Sequence, residues 1–357
     1  MALALTLGRR GLGRAWPNPA VGAVVVNNGI IVGRGWTQPG GRPHAETQAL
    51  GRAGGQARSG TLYVTLEPCS HTGKTPPCTD AIIKSGIVRV VSALADPNPL
   101  VAGAGHWGLA ERGIEVEVGL AAQEARRAHA GHIRRMQDGR PHVILKIALS
   151  ADNNVALSGR RPAVITGARS RNRVHLMRAM NDAVLTGTGT VLADDPLLTC
   201  RLPAMHSPVR VVLDTGLKLP LEARLVTSTE VVPVWVITGE SADREREQAL
   251  KMRGLDVQRV GEVGGRLDLG AALKLLSERG ITRLMVEAGP ILAASLVRAG
   301  LVDEAALFRS PAPIGADGID ALDGLPLSAL TQSPQLRRLA SESLGDDTLE
   351  TFERPLL

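Results

Sequence analysis

The stretch TLEPCSHTGKTPPC, Thr65 to Cys78, holds two of the three cysteines in a chain of 357 residues. Eight residues separate Cys69 from Cys78, and they include a histidine, a lysine and several glycine and proline residues. In the cytoplasm, where thiols are kept reduced, such a pair more often binds a metal or takes part in chemistry than forms a disulfide. We therefore expect two metal ligands here and a third elsewhere in the chain.

The third ligand is predicted in the sequence HisAlaGlu, which begins a helix pattern at His44. Three nitrogen or sulfur ligands leave a fourth position for water, as in catalytic zinc sites, whereas structural zinc sites have four protein ligands. Zinc lowers the pKa of that water to about 7. Glu46 lies in the first turn of the same helix, so its carboxylate can take a proton from the water and return it to a leaving amino group. We predict His44, Cys69 and Cys78 as ligands and Glu46 as the catalytic residue.

This order of residues is typical of the zinc deaminases, in which H-x-E is followed by P-C-x-x-C. Pro68-Cys69 and Pro77-Cys78 keep the Pro-Cys elements, although the gap between the cysteines is longer. A single histidine or a single cysteine is usually structural. Their occurrence together in this order predicts a zinc-dependent deaminase with a single zinc ion per chain.

The composition favours small-molecule ligands over nucleic acid. Aromatic residues make up only 2% of the chain, which argues against base stacking as a main activity. The net charge is +6, but the arginines are spread along the chain, which fits anionic small molecules better than nucleic acid. The densest basic stretch, 126–142, is expected to be the exposed face of a helix and its exit. We see no secretory signal and no run of about 18 apolar residues, so we expect a cytoplasmic protein without a membrane span.

Strand patterns alternate with helix patterns in both halves of the chain, which predicts two α/β domains. AVGAVVVNNGIIVGRGW (20–36) predicts a β-hairpin that turns at Asn-Gly. MQDGRPH (136–142) interrupts the pattern with polar residues, glycine and proline. We therefore predict one domain over residues 1–139 and a second over residues 140–357.

The second half contains two candidate nucleotide-binding turns. GTGT (187–190) follows a predicted strand, and Pro290 stands at the expected first turn of a helix after the strand that ends at Glu287. The amides at a helix start suit a pyrophosphate. Ordinary strand-to-helix turns explain these residues equally well, because a full G-x-G-x-x-G is missing.

Several motifs are similar to those of a known family, the bifunctional riboflavin-biosynthesis deaminase/reductases, in which the longer cysteine gap is usual. Four stretches resemble the deaminase half of that family: PNPAVGAVVV (17–26), PHAE (43–46), TLEPCSHTGKTPPC (65–78) and DPNPLVAGAG (96–105). Five stretches resemble the reductase half: LKIALSAD (145–152), HLMRA (175–179), DAVLTGTGTVLADDPLLTCRL (182–202), VVLD (211–214) and VEAGP (286–290). The resemblance covers almost the whole chain. It implies a cytidine-deaminase-like three-layer α/β/α domain followed by a dihydrofolate-reductase-like α/β domain.

The resemblance also implies the two reactions and their sites. The substrate would be the diaminohydroxy-phosphoribosylaminopyrimidine, which loses a ring amino group before NADPH reduces its ribosyl group to ribityl. Substrate contacts are implied at Asn18, His71, Lys74, Asp96, Asn98, Pro162, Arg178, Leu198, Arg201 and Glu287. NADPH contacts are implied at Ala148, Val164, Thr190, Asp194, Thr215, Gly289, Pro290, Ile291, Leu292, Ala293, Ala294 and Ser295. We expect Lys74 to meet the phosphate and Arg178 and Arg201 to clamp one, because guanidinium groups bind phosphate oxygens in pairs. The family also suggests a homo-oligomer.

The chain departs from the family pattern at several positions. Ser150-Ala151-Asp152-Asn153 stands where Ser-Leu-Asp-Gly is usual, so we expect a loop of different shape. Val164 replaces a bulky residue that some members place near the nicotinamide, and Ala23 stands where cysteine is more usual. Cys200 is expected to be an inert small residue.

Two other functions are compatible with the residues. One is a zinc deaminase that acts on another nucleobase or on RNA, with the second half as a binding module. The other is a zinc-stabilised interaction protein without activity.

Overall fold

The structure is a computed structural model that describes residues 1–73, 75–99, 101–158 and 163–355. Lys74 and Pro162, two predicted substrate residues, lie outside this set. The described chain divides into two compact units, residues 1–141 with 277–282 and residues 142–276 with 283–355. The domain boundary between residues 139 and 140 stays a prediction. Within the described ranges, every helix is too short or too polar to cross a bilayer.

The amino-terminal unit is built on a five-stranded sheet. Its strands are β1 (Gly22–Asn27), β2 (Ile30–Trp36), β3 (Thr61–Val64), β4 (Arg89–Ser92) and β5 (Glu115–Val118). The order is β2-β1-β3-β4-β5, with β1 antiparallel to both neighbours and β3, β4 and β5 parallel. The predicted hairpin is confirmed: Asn28 and Gly29 both have positive φ, as a two-residue turn between twisted strands requires.

Helices cover both faces of this sheet. They are α1 (Ala2–Gly8), α2 (Ala45–Ala53), α3 (Cys78–Ser85), α4 (Ala104–Ala110), α5 (Ala122–Ala128) and α6 (Ala130–Asp138), with short 3-10 turns at Arg9–Gly11, Pro39–Gly41 and Gly54–Ala57. Successive residues of a strand point to opposite faces. Val25 accordingly packs in the core that contains Ala49 of α2, whereas Val24 packs with Ala4 and Leu7 of α1. The unit therefore has the three layers that were predicted.

Two glycines of β2 bring α2 directly against the sheet. A Cβ atom on Gly33 would lie 2.1 Å from the Ala49 carbonyl oxygen, and one on Gly35 would lie 2.1 Å from the Ala45 carbonyl oxygen. Any larger residue at either position would push the helix away. This contact fixes the first turn of α2, and with it the predicted site residue Glu46.

The carboxy-terminal unit contains a nine-stranded sheet and two short ribbons. The strands are β6 (His142–Leu149), β7 (Asn154–Ala156), β8 (Ala183–Gly187), β9 (Val209–Leu213), β10 (Val234–Gly239), β11 (Asp256–Val260), β12 (Glu262–Val263), β13 (Arg266–Leu267), β14 (Arg283–Glu287), β15 (Glu304–Arg309), β16 (Ile319–Asp320), β17 (Arg337–Leu344) and β18 (Asp347–Glu353). The order is β11-β10-β9-β8-β14-β6-β15-β18-β17, parallel from β11 to β15, with β18 antiparallel to both neighbours. β12 pairs with β13, and β16 with β7.

Helices connect most of the parallel strands. They are α7 (Ala168–Ala179), α8 (Thr188–Asp194), α9 (Arg224–Thr227), α10 (Arg244–Met252), α11 (Leu269–Glu278), α12 (Pro290–Arg298) and α13 (Ser328–Thr331). The central strands are apolar along most of their length, as expected when helices cover both faces of a sheet. Parallel strands have their carboxyl ends at the same edge, so the segments after β6, β8, β9 and β14 meet there. Ligands of open α/β sheets bind at this edge.

The basic stretch 126–142 is not simply the exposed helix face that we expected. Arg126 is exposed, but His132 and His142 are 7% and 4% exposed. α6 turns His132 inward toward Asp96, and His142 opens β6 with its Nε2 atom 3.5 Å from Glu304 Oε2. The prediction was wrong for these histidines because the surrounding arginines made the whole stretch look solvated.

Candidate functional site

The three predicted metal ligands come together in the amino-terminal unit. His44 is the N-cap residue of α2, Cys69 follows β3, and Cys78 is the first residue of α3. Their ligand atoms all lie within 4.8 Å of one another. His44 Nδ1 is 3.3 Å from Cys78 Sγ and 3.6 Å from Cys69 Sγ. Both cysteines are free thiols, so the disulfide alternative is excluded.

The electrostatics of the cysteine pair fit a metal such as zinc. A hydrogen bond from the Cys78 side chain, helped by His44 and opposed by burial, lowers the pKa of Cys69 to about 4. The same hydrogen bond, together with burial, raises the pKa of Cys78. The Cys78 amide also donates to Cys69 Sγ over 3.4 Å. A thiolate-seeking metal needs both sulfurs deprotonated, so its binding here would release protons.

Glu46 lies beside the ligands in the first turn of α2 and is 3% exposed. Burial raises the pKa of this carboxyl group, although the nearby His44 opposes the effect. A buried carboxyl group with a raised pKa next to a metal site is suited to moving protons during a reaction.

Asn18 lies against the predicted metal ligand His44. Its Nδ2 atom is 3.1 Å from His44 Nε2 and donates to the Gly41 carbonyl oxygen, also over 3.1 Å. A contact on the outer nitrogen of a ligating histidine fixes the orientation of the ring. The structure therefore places this predicted substrate residue next to the metal ligands, where it also orients His44.

The other predicted substrate residues of this unit lie on two loops. Asp96 and Asn98 are half-buried and share a hydrogen bond, from the Asn98 amide to Asp96 Oδ1 over 2.8 Å. His71 is exposed on the loop between the cysteines, where Arg42 donates to Thr75 Oγ1. Sequence reasoning did not single out Arg42, and the PHAE motif that follows it was its only marker.

The predicted cofactor residues of the second unit other than Val164 gather at the carboxyl edge of the sheet. Ala148 lies on β6, Thr190 and Asp194 on α8, Thr215 two residues after β9, and the run 289–295 opens α12. The Gly289 amide donates to Thr190 Oγ1 over 3.0 Å, which joins the segments after β8 and β14. α12 begins at Pro290 and receives no side-chain cap from Gly289. The first amides of this helix therefore suit a pyrophosphate group.

A buried charged cluster lies at the same edge. Arg178 donates to Glu287 through Nε, over 2.5 Å to Oε1, and through Nη2, over 2.9 Å to Oε2. Burial alone would raise the pKa of Glu287, but the charges of Arg178 and Lys146 outweigh it and lower the pKa. Lys146 Nζ is 4.0 Å from Glu287 Oε2, and burial lowers the pKa of this lysine. Sequence reasoning missed Lys146, because it lies within the predicted strand VILKIALS and meets Glu287 only when β6 pairs with β14.

The remaining predicted residues differ in exposure. Arg201 is exposed, and its charge and that of Arg178 both lower the pKa of His175, after the larger effect of burial. Both arginines thus act on the same histidine, but Arg178 already uses N–H groups on Glu287 and on the Thr199 carbonyl oxygen. Leu198 is 3% exposed and adopts a positive φ of 53°, whereas Val164 is 91% exposed. Cys200 is buried, as an inert residue would be.

The backbone conformation of the loop at 150–153 explains why asparagine is tolerated at its last position. Asn153 has a φ of 64°, in the left-handed region that glycine adopts freely and asparagine tolerates better than most residues. Ser150 Oγ donates to Asp152, whose carboxylate also accepts the amides of Ile314 and Gly315. The conformation at this position is thus one that glycine would also permit.

Comparisons with known proteins match both units. The family described as the cytidine and deoxycytidylate deaminase zinc-binding region matches residues 1–94, and the RibD C-terminal domain matches residues 141–349. The riboflavin biosynthesis protein RibD of Aquifex aeolicus is 43% identical over 355 residues, which is 99% of this chain and 97% of that protein.

Two solved structures are similar over nearly the whole chain. Acinetobacter baumannii RibD, form 1, has a TM-score of 0.88 at 34% identity and covers 99% of this chain and 98% of its own. The diaminohydroxyphosphoribosylaminopyrimidine deaminase/5-amino-6-(5-phosphoribosylamino)uracil reductase of Thermotoga maritima has a TM-score of 0.86 at 35% identity, with coverages of 99% and 97%. These matches confirm the predicted α/β class and its deaminase and reductase halves.

Proposed function

The chain belongs to the RibD family of riboflavin biosynthesis, and from this premise we propose which of its residues carry each of the two reactions. The protein is an enzyme with a zinc-binding deaminase half, a hydrolase, and a reductase half, an oxidoreductase. A deaminase of another nucleobase or of RNA is not favoured, because the similarity spans both halves.

The Thermotoga relative names a substrate for each half, and we propose the same two for this chain. The first half would deaminate the diaminohydroxy-phosphoribosylaminopyrimidine, and the second would reduce the resulting 5-amino-6-(5-phosphoribosylamino)uracil. The product of one half is then the substrate of the other. Both carry a phosphate, which agrees with the net charge of +6 and with exposed Arg201 near the reductase site.

For deamination, His44, Cys69 and Cys78 would hold zinc, which supplies hydroxide at neutral pH when it is bound. Glu46 would accept a proton from the attacking water and deliver protons to the ring nitrogen and to the departing ammonia. Its burial supports this role, since a carboxyl group with a raised pKa can give a proton as well as take one. Asn18, Asp96 and Asn98 would bind the pyrimidine beside the ligands.

For reduction, the edge formed by α8 and the start of α12 would hold NADPH, which supplies hydride to C1 of the ribosyl group when it is bound. The electron pair of the breaking C1–O bond then moves to the ring oxygen, which needs a proton. Lys146 is suited to donate it, since burial lowers its pKa and Glu287 holds it at 4.0 Å. Arg201, with remaining N–H groups of Arg178, would bind the phosphate.

The observation that carries this proposal is the convergence of two thiols and one imidazole on a buried glutamate that is not itself a ligand. The test is to supply the purified chain with the diaminopyrimidine phosphate and to follow ammonia with and without NADPH, with NADH as the matched control. We expect ammonia in every case and oxidation of NADPH only after deamination. Ammonia release that never leads to NADPH oxidation would contradict the reductase assignment, and salt-sensitive RNA binding would favour the RNA alternative.

A homo-oligomeric state, a cytoplasmic location and the lack of a nucleic-acid partner stay predictions from the sequence. Sedimentation analysis of the purified chain would test the first of them.

A further inference from the structure

Glu67 stands in the TLEPC stretch, where sequence reasoning gave it no role, and lies at the centre of a cluster of backbone amides. The Glu67 side chain is fully buried. Its Oε2 atom accepts the amides of Asp96 and Gly103, each over 3.0 Å, and its Oε1 atom accepts those of Gly105 over 2.9 Å and His106 over 3.2 Å. A single carboxylate thus binds the loop before α4 at Asp96 and Gly103, and the first turn of α4 at Gly105 and His106.

This loop lies between β4 and α4, and the amides of Val101 and Ala102 donate to the Asn98 carbonyl oxygen over 2.8 and 3.0 Å. Gly105 packs against the metal-ligand segment, since a Cβ atom there would lie 2.1 Å from the Pro68 carbonyl oxygen. Glu67 precedes the ligand Cys69 by two residues. One side chain therefore links the segment that carries a metal ligand to the loop that carries Asp96 and Asn98.

We propose that Glu67 is a positioning residue of the deaminase site, which holds Asp96 and Asn98 at a fixed place relative to the metal ligands. The contacts form a chain: Glu67 accepts the Asp96 amide, and Asp96 Oδ1 accepts the Asn98 amide. The inference rests on the proposed substrate role of this loop. It adds a residue that acts through the loop without touching the substrate.

The geometry requires a carboxylate and not only a side chain of this size. Each of the two oxygens accepts two amides, and a carboxylate has acceptor sites for all four. In glutamine one oxygen becomes an NH₂ group, which would face two N–H donors in either orientation of the amide. Glu67→Gln therefore keeps the side-chain volume but leaves two of the four amides without an acceptor, either those of Asp96 and Gly103 or those of Gly105 and His106.

The experiment compares Glu67→Gln with Glu111→Gln, the same change at an exposed position of the same unit. For Glu67→Gln we expect kcat/KM of deamination to fall about 10- to 100-fold, mainly through KM, as is typical when a supporting hydrogen bond is lost. Zinc content should stay near that of the wild type. Reduction of the deaminated pyrimidine by the same preparation should also be unchanged, which shows that the chain is folded.

Asn98→Ala and the double variant separate this inference from the function on which it rests. If Glu67 acts through the loop, the loss in the double variant will be smaller than the product of the two single losses. An Asn98→Ala enzyme with normal KM, beside an impaired Glu67→Gln enzyme, would refute the substrate role of Asn98 and not the positioning of Asp96. The inference is overturned if Glu67→Gln has normal deaminase kinetics, or if it loses zinc or reductase activity in parallel.

Discussion

His132 Nε2 lies 2.8 Å from Asp96 Oδ1, and the two side chains are 7% and 9% exposed. The same oxygen accepts the Asn98 amide. His132 of α6 therefore holds the same loop as Glu67. It binds the Asp96 side chain, whereas Glu67 binds the Asp96 backbone amide. Two buried groups from distant parts of the sequence thus fix one short loop beside the metal ligands.

Removing the imidazole should weaken this loop. His132→Phe keeps a ring but leaves the largely buried Asp96 Oδ1 without one of its donors, which costs about 1–3 kcal/mol. We expect lower thermal stability and a raised KM for deamination, measured by unfolding and by ammonia release. His132→Gln retains a hydrogen-bond donor and is the matched control, so its losses of stability and of substrate affinity should be smaller. A normal KM in His132→Phe would show that Asp96 does not need this partner.

Metal removal should separate the two activities. Chelation should abolish ammonia release, because the proposed hydroxide depends on zinc, and added zinc should restore it. Reduction of the already deaminated pyrimidine should continue in the chelated enzyme. Both rates and the bound zinc would be measured on one preparation, and a reductase that stops with the deaminase would contradict separate sites.

Glu46→Gln should remove catalysis without removing the metal. The amide cannot take or return a proton, so ammonia release should fall by about 10²- to 10⁴-fold or more. Zinc should stay near one per chain, because Glu46 is not among the three ligands. Elemental analysis and an ammonia assay measure the two quantities, with Glu111→Gln as the control. Normal turnover in the Glu46 variant would refute the mechanism.

The proximity of the three proposed ligands was predictable because these residues are marked by type and spacing. His44, Cys69 and Cys78 each stand in a short motif, and the structure brings their ligand atoms within 4.8 Å. The hairpin at Asn28 was equally local, since Asn-Gly specifies the turn. In each case a few neighbouring residues hold the whole of the information.

The residues that support the two sites, Glu67, His132 and Lys146, were not predictable because their partners are far away in the sequence. The partners of Glu67 are backbone amides 29 to 39 residues away, which no side-chain pattern marks. His132 was hidden among arginines, and its inward direction depends on how α6 packs. Lys146 becomes notable only when β6 and β14 pair and bring it to Glu287. Such contacts follow from tertiary packing, which overrides local composition.

Acid should destabilise the protein in part through His129. This side chain is 2% exposed, its Nε2 atom is 3.0 Å from Thr65 Oγ1, and burial lowers its pKa from 6.5 to about 4. Between these values the unfolded chain binds a proton that the folded chain does not. The free energy of unfolding should therefore fall as the pH drops from about 6.5 to about 4, by up to ~3 kcal/mol from this group.

The change that tests this is His129→Gln, which cannot titrate but can still reach Thr65. Urea unfolding of the zinc-loaded enzyme between pH 7.5 and pH 5 should show a smaller loss of stability with acid in the variant than in the wild type. Equal losses would mean that other groups account for the acid sensitivity.

Arg201→Ala should weaken substrate binding in the reductase half and leave the cofactor in place. Arg201 is exposed near His175, so its loss should not disturb folding, whereas Arg178 neutralises buried Glu287. Hydrogen bonds to charged groups are worth about 1.5–3 kcal/mol, so KM for the deaminated pyrimidine should rise about tenfold or more. Arg201→Lys keeps the positive charge but loses the planar guanidinium group, so its KM should lie between those of the wild type and Arg201→Ala. Titration of NADPH by fluorescence should give an unchanged Kd, and a variant that lost NADPH instead would mean that Arg201 belongs to the cofactor site.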